Sequence, residues 1–378
     1  MKLLYIANAR IPTEKAHGLQ IMKTCEALAA AGSAVELVIP WRFNHIRQNA
    51  HDYYSVRKNF SITILPSLDI SGFIPKVGFW VQSFTFGLAA MIYAMFRRSE
   101  AIYSRDEYAL YYLSFVKTNI FWESHVAKNS FLEKRVSRHS RGVVTITQGL
   151  KNYYAASGIA VEKILVAPDA VDLDKFKIQN SKAKIREELG LPLEAKIIMY
   201  TGHLYEWKGA RTLLNTARNS KVQMPNVKFV FVGGTEEDIR KFRRLTGDAD
   251  NIMILGHKSH AEIPKYLAAA DVLVLPNSGK EDISRIYTSP MKLFEYMASG
   301  RPIVASDLPS LREILNERNA VLVRADDEAA LAAGIEKLLG DTVAGERLAR
   351  QALADVQNHT WENRVARIIA FLRKPAIL

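Results

Sequence analysis

The feature that most constrains the fold is an alternation of short apolar strands with helical segments, which the chain repeats in two series. The first series opens with the strand KLLYIA, a long loop, the helix LQIMKTCEALAAAG and the strand AVELVIP. Two strands joined by a crossover helix form a βαβ unit, and successive units build a parallel sheet. A second series opens at KIIMYTG and continues to AVLVR. The pattern therefore predicts an α/β protein with two doubly wound, Rossmann-like domains.

The length of the chain and the interruptions of this pattern predict where the domains divide. A chain of 378 residues is long for one α/β core and suits two domains. Pro168 and Asp172 interrupt the alternation, which places a hinge near residues 168–178. The predicted segments are a domain over residues 1–170, a domain over residues 171–358 and an amphipathic C-terminal helix within residues 359–378, which could pack on either domain.

The net charge restricts the partners that the protein could bind. Lysine and arginine outnumber the acids 51 to 39, for a formal charge of +12, so the surface should attract phosphates, anionic lipid or nucleic acid. Nucleic acid is the weakest of these, because the sequence has no zinc-ligand pattern, RNA-binding aromatic signature or clear helix-turn-helix. The opening MKLLYIANARIP has too short an apolar run for a signal peptide, which predicts a cytoplasmic protein.

One uncharged run bears on membrane association. Between Lys76 and Arg97 lies VGFWVQSFTFGLAAMIYAMF, which is long enough to span a bilayer. Because it contains Gln82 and Ser83 and lies between two strand-like segments, we interpret it as a mostly buried domain helix. Two alternatives stay open: a helix on the membrane surface, with Lys76, Arg97 and Arg98 toward the lipid head groups, and a true span.

The stretch TSPMKLFEYMASGRPIVASD predicts a phosphate-binding helix. Ser289 is a typical N-cap, Pro290 suits the first helical position and Gly300 suits the C-terminal cap. The helix is therefore predicted from about residue 290 to residue 299. Its free N–H groups and positive dipole end lie at Met291 and Lys292, where a phosphate would bind.

Glu295 is the candidate for binding a sugar hydroxyl pair. It lies one turn beyond Met291, on the same face of the predicted helix. If a nucleoside diphosphate binds the helix N-terminus, the ribose 2′ and 3′ hydroxyls would be within reach of the carboxylate. The alternative is a solvated or salt-bridged glutamate. The apolar neighbours Leu293, Phe294 and Met297 predict a largely buried helix, which weakens that alternative.

A second loop, in YTGHLYEWKGARTLL, offers a cation for the same phosphates. A predicted strand ends at Gly202, and Lys208 lies at the entrance of the next helix. A lysine there can neutralise a diphosphate as a flexible point charge, although a loop lysine is ordinarily only solvated. His203 could donate a hydrogen bond to the phosphates or cap the strand.

Two elements of the first domain complete the candidate site. The loop of residues 8–18 is longer than most strand-to-helix loops, and Gly18 at its end would allow a ligand close to the backbone. Glu123 and His125 follow a predicted strand, so His125 could interact with a sugar or a leaving phosphate while Glu123 orients it. A purely structural histidine is the alternative. A nicotinamide or flavin site is poorly supported, because there is no GxGxxG.

Four stretches together resemble family 4 of the retaining glycosyltransferases: SPMKLFEYMASGRPIVASD, TGHLYEWKG, APDAVDLDKF and HGLQIMKTCEAL. The resemblance spans most of the chain. It implies the GT-B fold, in which two Rossmann-like domains face a central cleft, with the acceptor on the N-terminal side and the nucleotide sugar on the C-terminal side. It also implies transfer with retention, a nucleotide-diphosphate sugar as co-substrate, and neither a metal nor another cofactor.

The resemblance also implies roles for particular residues. The catalytic candidates are His125, Lys208 and Glu123. The candidates for donor binding are Gly18, Gly202, His203, Lys208, Gly256, His257, Ser289, Met291 and Glu295. Two positions depart from the family pattern, because Tyr287 stands where a glutamate is usual and His203 where an arginine is usual. Both departures leave the sugar open.

The function predicted from these residues is transfer of a sugar from a nucleotide-diphosphate donor to an acceptor hydroxyl. The apolar helix and the basic charge favour a glycan or lipid-linked acceptor at the inner face of a membrane, with an anionic surface as a further partner. Two rivals stay open: a sugar-nucleotide epimerase of the same fold, and a non-catalytic protein that binds sugar nucleotides or membranes.

Overall fold

The structure, a computed structural model, describes residues 1–219, 226–247 and 249–375. The chain forms two compact units. The first unit comprises Met1–Asp169 and Trp361–Leu378, and the second unit comprises Ala170–Thr360.

The first unit is built on a parallel sheet of seven strands, which confirms the predicted strands of the first series. The strands are β1 (Lys2–Ile6), β2 (Ala34–Pro40), β3 (Ser61–Leu65), β4 (Ala101–Ser104), β5 (Ile120–Ser124), β6 (Gly142–Thr145) and β7 (Ile164–Val166). The sheet order is β3-β2-β1-β4-β5-β6-β7, so the strand order reverses between β1 and β4. In such sheets ligands bind beyond the carboxyl ends of the strands at this reversal.

Six helices of the first unit connect these strands. They are α1 (Ala16–Ala30), α2 (Ala50–Tyr54), α3 (Pro75–Met95), α4 (Glu107–Leu113), α5 (Phe131–His139) and α6 (Gln148–Ala156), and a 3-10 turn at Val161–Lys163 precedes β7. Helix α5 begins with a capping box, in which the Ser130 and Glu133 side chains each bond the backbone N–H of the other.

The second unit repeats the architecture with six parallel strands. They are β8 (Lys196–Thr201), β9 (Val227–Val232), β10 (Ile252–Gly256), β11 (Val272–Leu275), β12 (Ile303–Ser306) and β13 (Val321–Val323), in the order β10-β9-β8-β11-β12-β13. Alternate residues of β8 enter two different cores, since Ile197 and Met199 face one side of the sheet and Ile198 and Tyr200 the other. The strand order reverses between β8 and β11.

Within the described residues of the second unit, nine helices accompany the second sheet. They are α7 (Lys182–Glu188), α8 (Ala210–Asn219), α9 (Glu236–Thr246), α10 (Ile263–Ala269), α11 (Asp282–Arg285), α12 (Met291–Ala298), α13 (Pro309–Arg312), α14 (Glu328–Gly340) and α15 (Thr342–Asp355), with 3-10 turns at Leu173–Phe176, Glu206–Lys208 and Val356–Asn358. The last helix of the chain, α16 (Trp361–Leu372), returns to the first unit and packs against α1.

Helix α3 forms where the uncharged run predicts it, but the prediction that it is mostly buried is wrong. Among the described residues it is the one helix long and apolar enough to span a membrane, yet only 39% of its most apolar window is buried. The side that packs inward is mostly small or polar, with Gln82, Ser83 and Gly87 buried beside one bulky residue, Phe86. Leu88 and Ile92, in contrast, are exposed. Small side chains allow α4 to approach closely, so the bulky ones are left facing outward.

Candidate active site

The loops after β8 and β11 meet at the strand-order reversal of the second unit. Gly209 has a φ of +71°, and a Cβ built on it would overlap the carbonyl oxygen of Pro276. The N–H of Ser278 donates to the carbonyl of Trp207 over 3.0 Å. Only glycine permits this approach, so the contact fixes Lys208 beside the segment that leads to α12.

Helix α12 carries the second part of the site, and its start differs from the prediction. The helix begins at Met291, and Pro290 is the N-cap residue, its carbonyl accepting a bond from the N–H of Leu293. The prediction of Ser289 as N-cap and Pro290 as first helical residue is therefore wrong by one position. Gly300 adopts a φ of +65° just beyond the helix, which agrees with its predicted role at the C-terminal end.

Glu295 lies on the buried face of α12 and already holds one partner. Its residue is 8% exposed, and its Oε1 lies 2.7 Å from Nε2 of His260, on the loop after β10. The Tyr296 hydroxyl accepts a hydrogen bond from the N–H of Thr201 over 2.8 Å, which ties α12 to the end of β8. These bonds place the carboxylate near the carboxyl edge of the sheet, as the predicted ribose contact requires.

Lys208 is the predicted phosphate cation, and its surroundings differ from those of a solvated lysine. Its Nζ lies 5.6 Å from the ring centre of Tyr205 and 5.2 Å from that of Trp207, and no carboxylate within the described ranges forms an ion pair with it. Burial lowers the pKa of Lys208 to about 8. A half-buried ammonium with no acidic partner among the described residues is suited to bind an anion.

Lys292, the second residue of α12, is also near this point. Its Nζ lies 3.9 Å from the ring centre of Tyr200 and has no hydrogen-bond partner among the described residues. Burial and the charge of Lys208 hold the pKa of Lys292 well below its usual value, although Glu295 opposes them. The sequence analysis considered only the backbone of Lys292 and so missed its side chain.

The remaining donor-side candidates lie around the same sheet edge. Gly202 has a φ of +120°, and Gly233 packs directly on its backbone. The His203 ring is stacked on Tyr205, with ring centres 4.9 Å apart, and its Nδ1 lies 4.0 Å from a carboxylate oxygen of Asp238. The His203 side chain therefore faces Tyr205 and Asp238, which accounts for its position without a phosphate.

The loop after β10 differs in detail from the prediction. Gly256 ends the strand with a φ of +72°, and its carbonyl accepts a bond from the N–H of Gly233 over 2.7 Å. The side chain of this loop that contacts Glu295 is His260, whereas His257 is exposed.

In the first unit, Gly18 does not lie where the prediction places it. Helix α1 begins at Ala16, so Gly18 belongs to its first turn and the loop covers residues 7–15. A Cβ on Gly18 would overlap the hydroxyl of Tyr54, which bonds both the N–H and the carbonyl of Thr13. The glycine is therefore explained by packing against Tyr54, and the predicted reason, close approach of a ligand, is not supported.

Glu123 is the centre of a buried hydrogen-bond network. Its Oε1 accepts bonds from Gln20 Nε2 at 2.6 Å, His125 Nε2 at 2.6 Å and Arg364 Nη2 at 2.9 Å, and its Oε2 accepts one from the Tyr103 hydroxyl. Burial alone would raise the pKa of Glu123, but Arg364 and the bond from His125 hold it well below the usual range. A residue 1% exposed and so fully bonded is suited to orient His125, and the role of Glu123 in catalysis stays a prediction.

His125 is the accessible member of this network, with a side chain 19% exposed. Burial and the charge of Arg105 lower the pKa of His125 to about 4, against the opposing effect of Glu123. The imidazole is therefore neutral at pH 7. With its Nε2–H bonded to Glu123, its Nδ1 has a lone pair that can accept a hydrogen bond from a ligand hydroxyl.

No group of three or more histidine, cysteine, aspartate and glutamate side chains within residues 1–219, 226–247 and 249–375 is arranged to hold a metal ion. Metal independence stays a prediction, which a chelator experiment can test.

The fold and these sites define a class of protein: two Rossmann-like units of the GT-B type, with candidate anion-binding groups at the switch point of the second. Solved structures share this fold over nearly the whole chain. Anabaena HepE in complex with UDP and glucose aligns with a TM-score of 0.76 at 16% identity, covering 98% of this chain and 99% of that one. Sucrose-phosphate synthase from Thermosynechococcus elongatus aligns with a TM-score of 0.79 at 19% identity, covering 98% of each chain.

The second unit is similar in sequence to a known family. Residues 195–341 match the family described as glycosyl transferases group 1, which confirms the predicted resemblance. The D-inositol 3-phosphate glycosyltransferase of Xylanimonas cellulosilytica is 27% identical over 58% of this chain and 54% of its own length. The phosphatidyl-myo-inositol mannosyltransferase of Mycobacterium leprae is 31% identical over 51% of this chain and 50% of its own length. The chain thus spans about half the length of these relatives.

Proposed function

We propose that this chain is a glycosyltransferase, which moves a sugar from a nucleotide-diphosphate donor to an acceptor hydroxyl. The observation that supports the proposal is that Lys208, on the loop after β8, and Glu295, on α12, both belong to segments at the switch point of the second unit. The cation has no acidic partner among the described residues, and the carboxylate is held in place by His260. This arrangement lies within the segment that matches glycosyl transferases group 1.

Each group has a physical role in the proposal. Lys208 and the N-terminus of α12 hold the diphosphate, because both present positive charge to it. Glu295 accepts hydrogen bonds from the ribose hydroxyls, and the neutral imidazole of His125 contacts the donor sugar. The other proposed donor contacts are Gly202, His203, Gly256, His257, Ser289 and Met291.

The proposed reaction breaks the bond between the anomeric carbon and the diphosphate oxygen. The acceptor oxygen forms the new bond on the same face of the sugar, and its proton passes to the departing diphosphate. Stabilising the charge on that leaving group is the main catalytic task, and Lys208 supplies it without a metal. The configuration is therefore retained, as the family resemblance implies.

A screen of nucleotide sugars by thermal shift tests the donor. A ligand that favours the folded state raises the melting temperature, so a true donor should stand out from its base and sugar analogues. Transfer to a panel of lipid-linked and glycan acceptors should then depend on Lys208 and Glu295, and persist in EDTA. Turnover of donor by Lys208→Ala and Glu295→Ala at the parental rate would contradict the proposal. Product formed without any acceptor would favour the epimerase. Binding of nucleotide sugar without turnover would favour the non-catalytic protein.

The proposed acceptor is lipid-linked, at the cytoplasmic face of a membrane. Helix α3 supports this, because its exposed side is apolar and Lys76 and Arg97 lie at its two ends. Flotation with anionic and neutral liposomes tests the surface. The chain should float with anionic vesicles, and the Leu88→Ser, Ile92→Ser double variant should not. Val343→Ser, at an even more exposed apolar position in the second unit, should behave as the parent. If the chain floats with neither kind of liposome, the proposed membrane surface is wrong.

A further inference from the structure

Lys292 is a buried ammonium for which the chain supplies no counter-charge. The residue is 9% exposed, and its Nζ has no hydrogen-bond partner in the described part of the chain. Its Nζ lies 3.9 Å from the ring centre of Tyr200, within range of a cation–π contact. Burying an ammonium without a hydrogen-bonded anion is costly, so a lysine at this position is poorly explained by stability.

The nearest carboxylate is already engaged. Glu295 lies three residues further along α12, but its Oε1 bonds His260 over 2.7 Å. No ion pair joins Glu295 to Lys292 among the described residues. The titratable groups around Nζ are Tyr200 on β8, Lys208 on the preceding loop, Glu295 and Tyr296 on α12 itself, and His260 behind Glu295.

The Nζ of Lys292 lies beside the loop of residues 202–209, which joins β8 to α8. A Cβ built on Gly202, where β8 gives way to that loop, would lie 4.0 Å from Nζ. Lys208, at the other end of the loop, is close enough for its charge to act on Lys292. Lys292 thus lies in the first turn of an eight-residue helix, and the charge of Lys208 acts on it.

We propose that Lys292 is a second cation for the donor diphosphate, and that the Lys208–Lys292 pair takes up protons when that anion binds. The proposal rests on the proposed function. Two ammonium groups that are near each other and away from water repel, and the repulsion is relieved when one of them releases its proton. A bound diphosphate attracts both ammonium groups, so it favours the protonated form of each lysine. Burial, which lowers the pKa of Lys208 to about 8, already places part of this exchange near neutral pH.

Isothermal titration calorimetry at pH 8 tests the proton count. Inorganic pyrophosphate and the diphosphates of uridine, guanosine and adenosine are titrated in HEPES and in Tris, whose ionisation enthalpies differ. Because protons taken up are supplied by the buffer, the binding enthalpy should differ between the two buffers for the parent. Lys292→Met should bind pyrophosphate about tenfold to a hundredfold more weakly and take up fewer protons. Lys241→Met, at an exposed lysine of α9, should match the parent.

Two further measurements keep the outcome decisive. Lys292→Met should raise the melting temperature of the ligand-free protein, because a buried charge is removed, whereas a lysine that supports the fold would give a decrease. Lys292→Arg should retain binding with less proton uptake, since a guanidinium stays protonated. Unchanged affinity in Lys292→Met, or equal enthalpies in both buffers, would overturn the inference while leaving the proposed function intact. Failure of the parent to bind any diphosphate would overturn both.

Discussion

Replacement of Arg364 by methionine tests whether a buried ion pair fastens the C-terminal helix to the first unit. Arg364 lies on α16, where its Nε donates to the carbonyl of Pro168 over 2.9 Å and its Nη2 donates to Glu123 over 2.9 Å. Methionine has a similar length and no charge. The substitution therefore removes the cation while preserving much of the packing, and it leaves the carboxylate of Glu123 buried without its counter-charge.

The expected loss is large because the pair is enclosed. The side chains of Arg364 and Glu123 are 2% and 0% exposed, and removal of one partner of such a pair typically costs about 3–5 kcal/mol. With an unfolding slope of about 2 kcal/mol per molar urea, the midpoint of the first unit should fall by about 2 M. Arg367→Met, one turn away, is the matched control, because Arg367 is exposed and donates a single bond to the carbonyl of Val166. Its expected cost is about 1 kcal/mol.

The dependence on pH gives a second signature. In the parent, the depressed pKa of Glu123 contributes stability above its unfolded value of about 4.3 and loses it as the pH falls through the folded value. In Arg364→Met, burial dominates and raises that pKa, so protonation of Glu123 relieves the strain. The gap between the two proteins should therefore narrow as the pH is lowered from 7 toward 5. Urea titrations followed by circular dichroism measure this gap, and a loss no larger than that of Arg367→Met would refute the reasoning.

Three further predictions concern the second unit. Lys208→Met should stabilise the ligand-free protein at pH 7 by at most about 3 kcal/mol in urea titrations, because the lowered pKa of Lys208 makes the charged form unfavourable in the fold. The stability of the parent protein should correspondingly rise between pH 8 and 10, as Lys208 loses its proton in the folded state. For the same reason, kcat/KM for the donor should fall above about pH 8. A kcat/KM that does not change with pH would contradict the role of Lys208 as the phosphate cation. Gly209→Ala should lower the free energy of unfolding by about 3 kcal/mol or more, and with it the melting temperature, because the new Cβ meets the Pro276 carbonyl at a φ of +71°. An unchanged melting temperature would contradict the packing. Glu295→Gln should weaken nucleoside diphosphate binding about tenfold in calorimetry while leaving pyrophosphate, which has no ribose, unchanged; an equal loss for both ligands would argue against a ribose contact.

The two sheets could be predicted from the sequence because their strands are buried on both faces. A parallel strand such as Val272–Leu275 is a continuous run of apolar residues, so it can be identified without knowledge of its neighbours. Helix ends were less predictable. The apolar pattern of α1 begins at Leu19, but the helix begins at Ala16, and its N-cap residue Lys15 makes no capping bond that could mark the boundary. Because the helix begins three residues before the apolar pattern, Gly18 lies in the helix and not in the preceding loop.

The error over α3 has a different cause. Mean hydropathy predicts that an apolar helix is buried, but which side is buried depends on how closely a neighbour can approach. Gly87 meets the ring of Tyr112 and the carbonyl of Tyr108 on α4, so the small side of α3 is the side that packs. An average over the run cannot distinguish that side from the bulky one, whereas the spacing of Gly78, Gly87, Ala90 and Ala94 could have done so.

The site was predictable only where its signals are local. Lys208 and Glu295 stand at a helix entrance and on a helix face, which a single sequence reveals. The partners of the buried carboxylates could not be predicted in this way, because His260 is 35 residues from Glu295 and Arg364 is 241 residues from Glu123. Lys292 is an intermediate case, because a lysine within the otherwise apolar run MKLFEYM, predicted to be buried, is a local anomaly that could have been pursued.

Among the described residues, the arginines and lysines that lie away from water are of two kinds: some form an ion pair with a carboxylate and others do not. Arg364 is paired with Glu123, and Arg186 with Asp271 at 2.6 Å, so these guanidinium groups are compensated by the protein itself. Lys208 and Lys292 have no such partner among residues 1–219, 226–247 and 249–375. Because an uncompensated charge away from water lowers stability, its presence at the switch point of the second sheet supports our proposal that a ligand supplies the compensating anion. The same reasoning predicts that the two lysine variants gain stability where the arginine variant loses it.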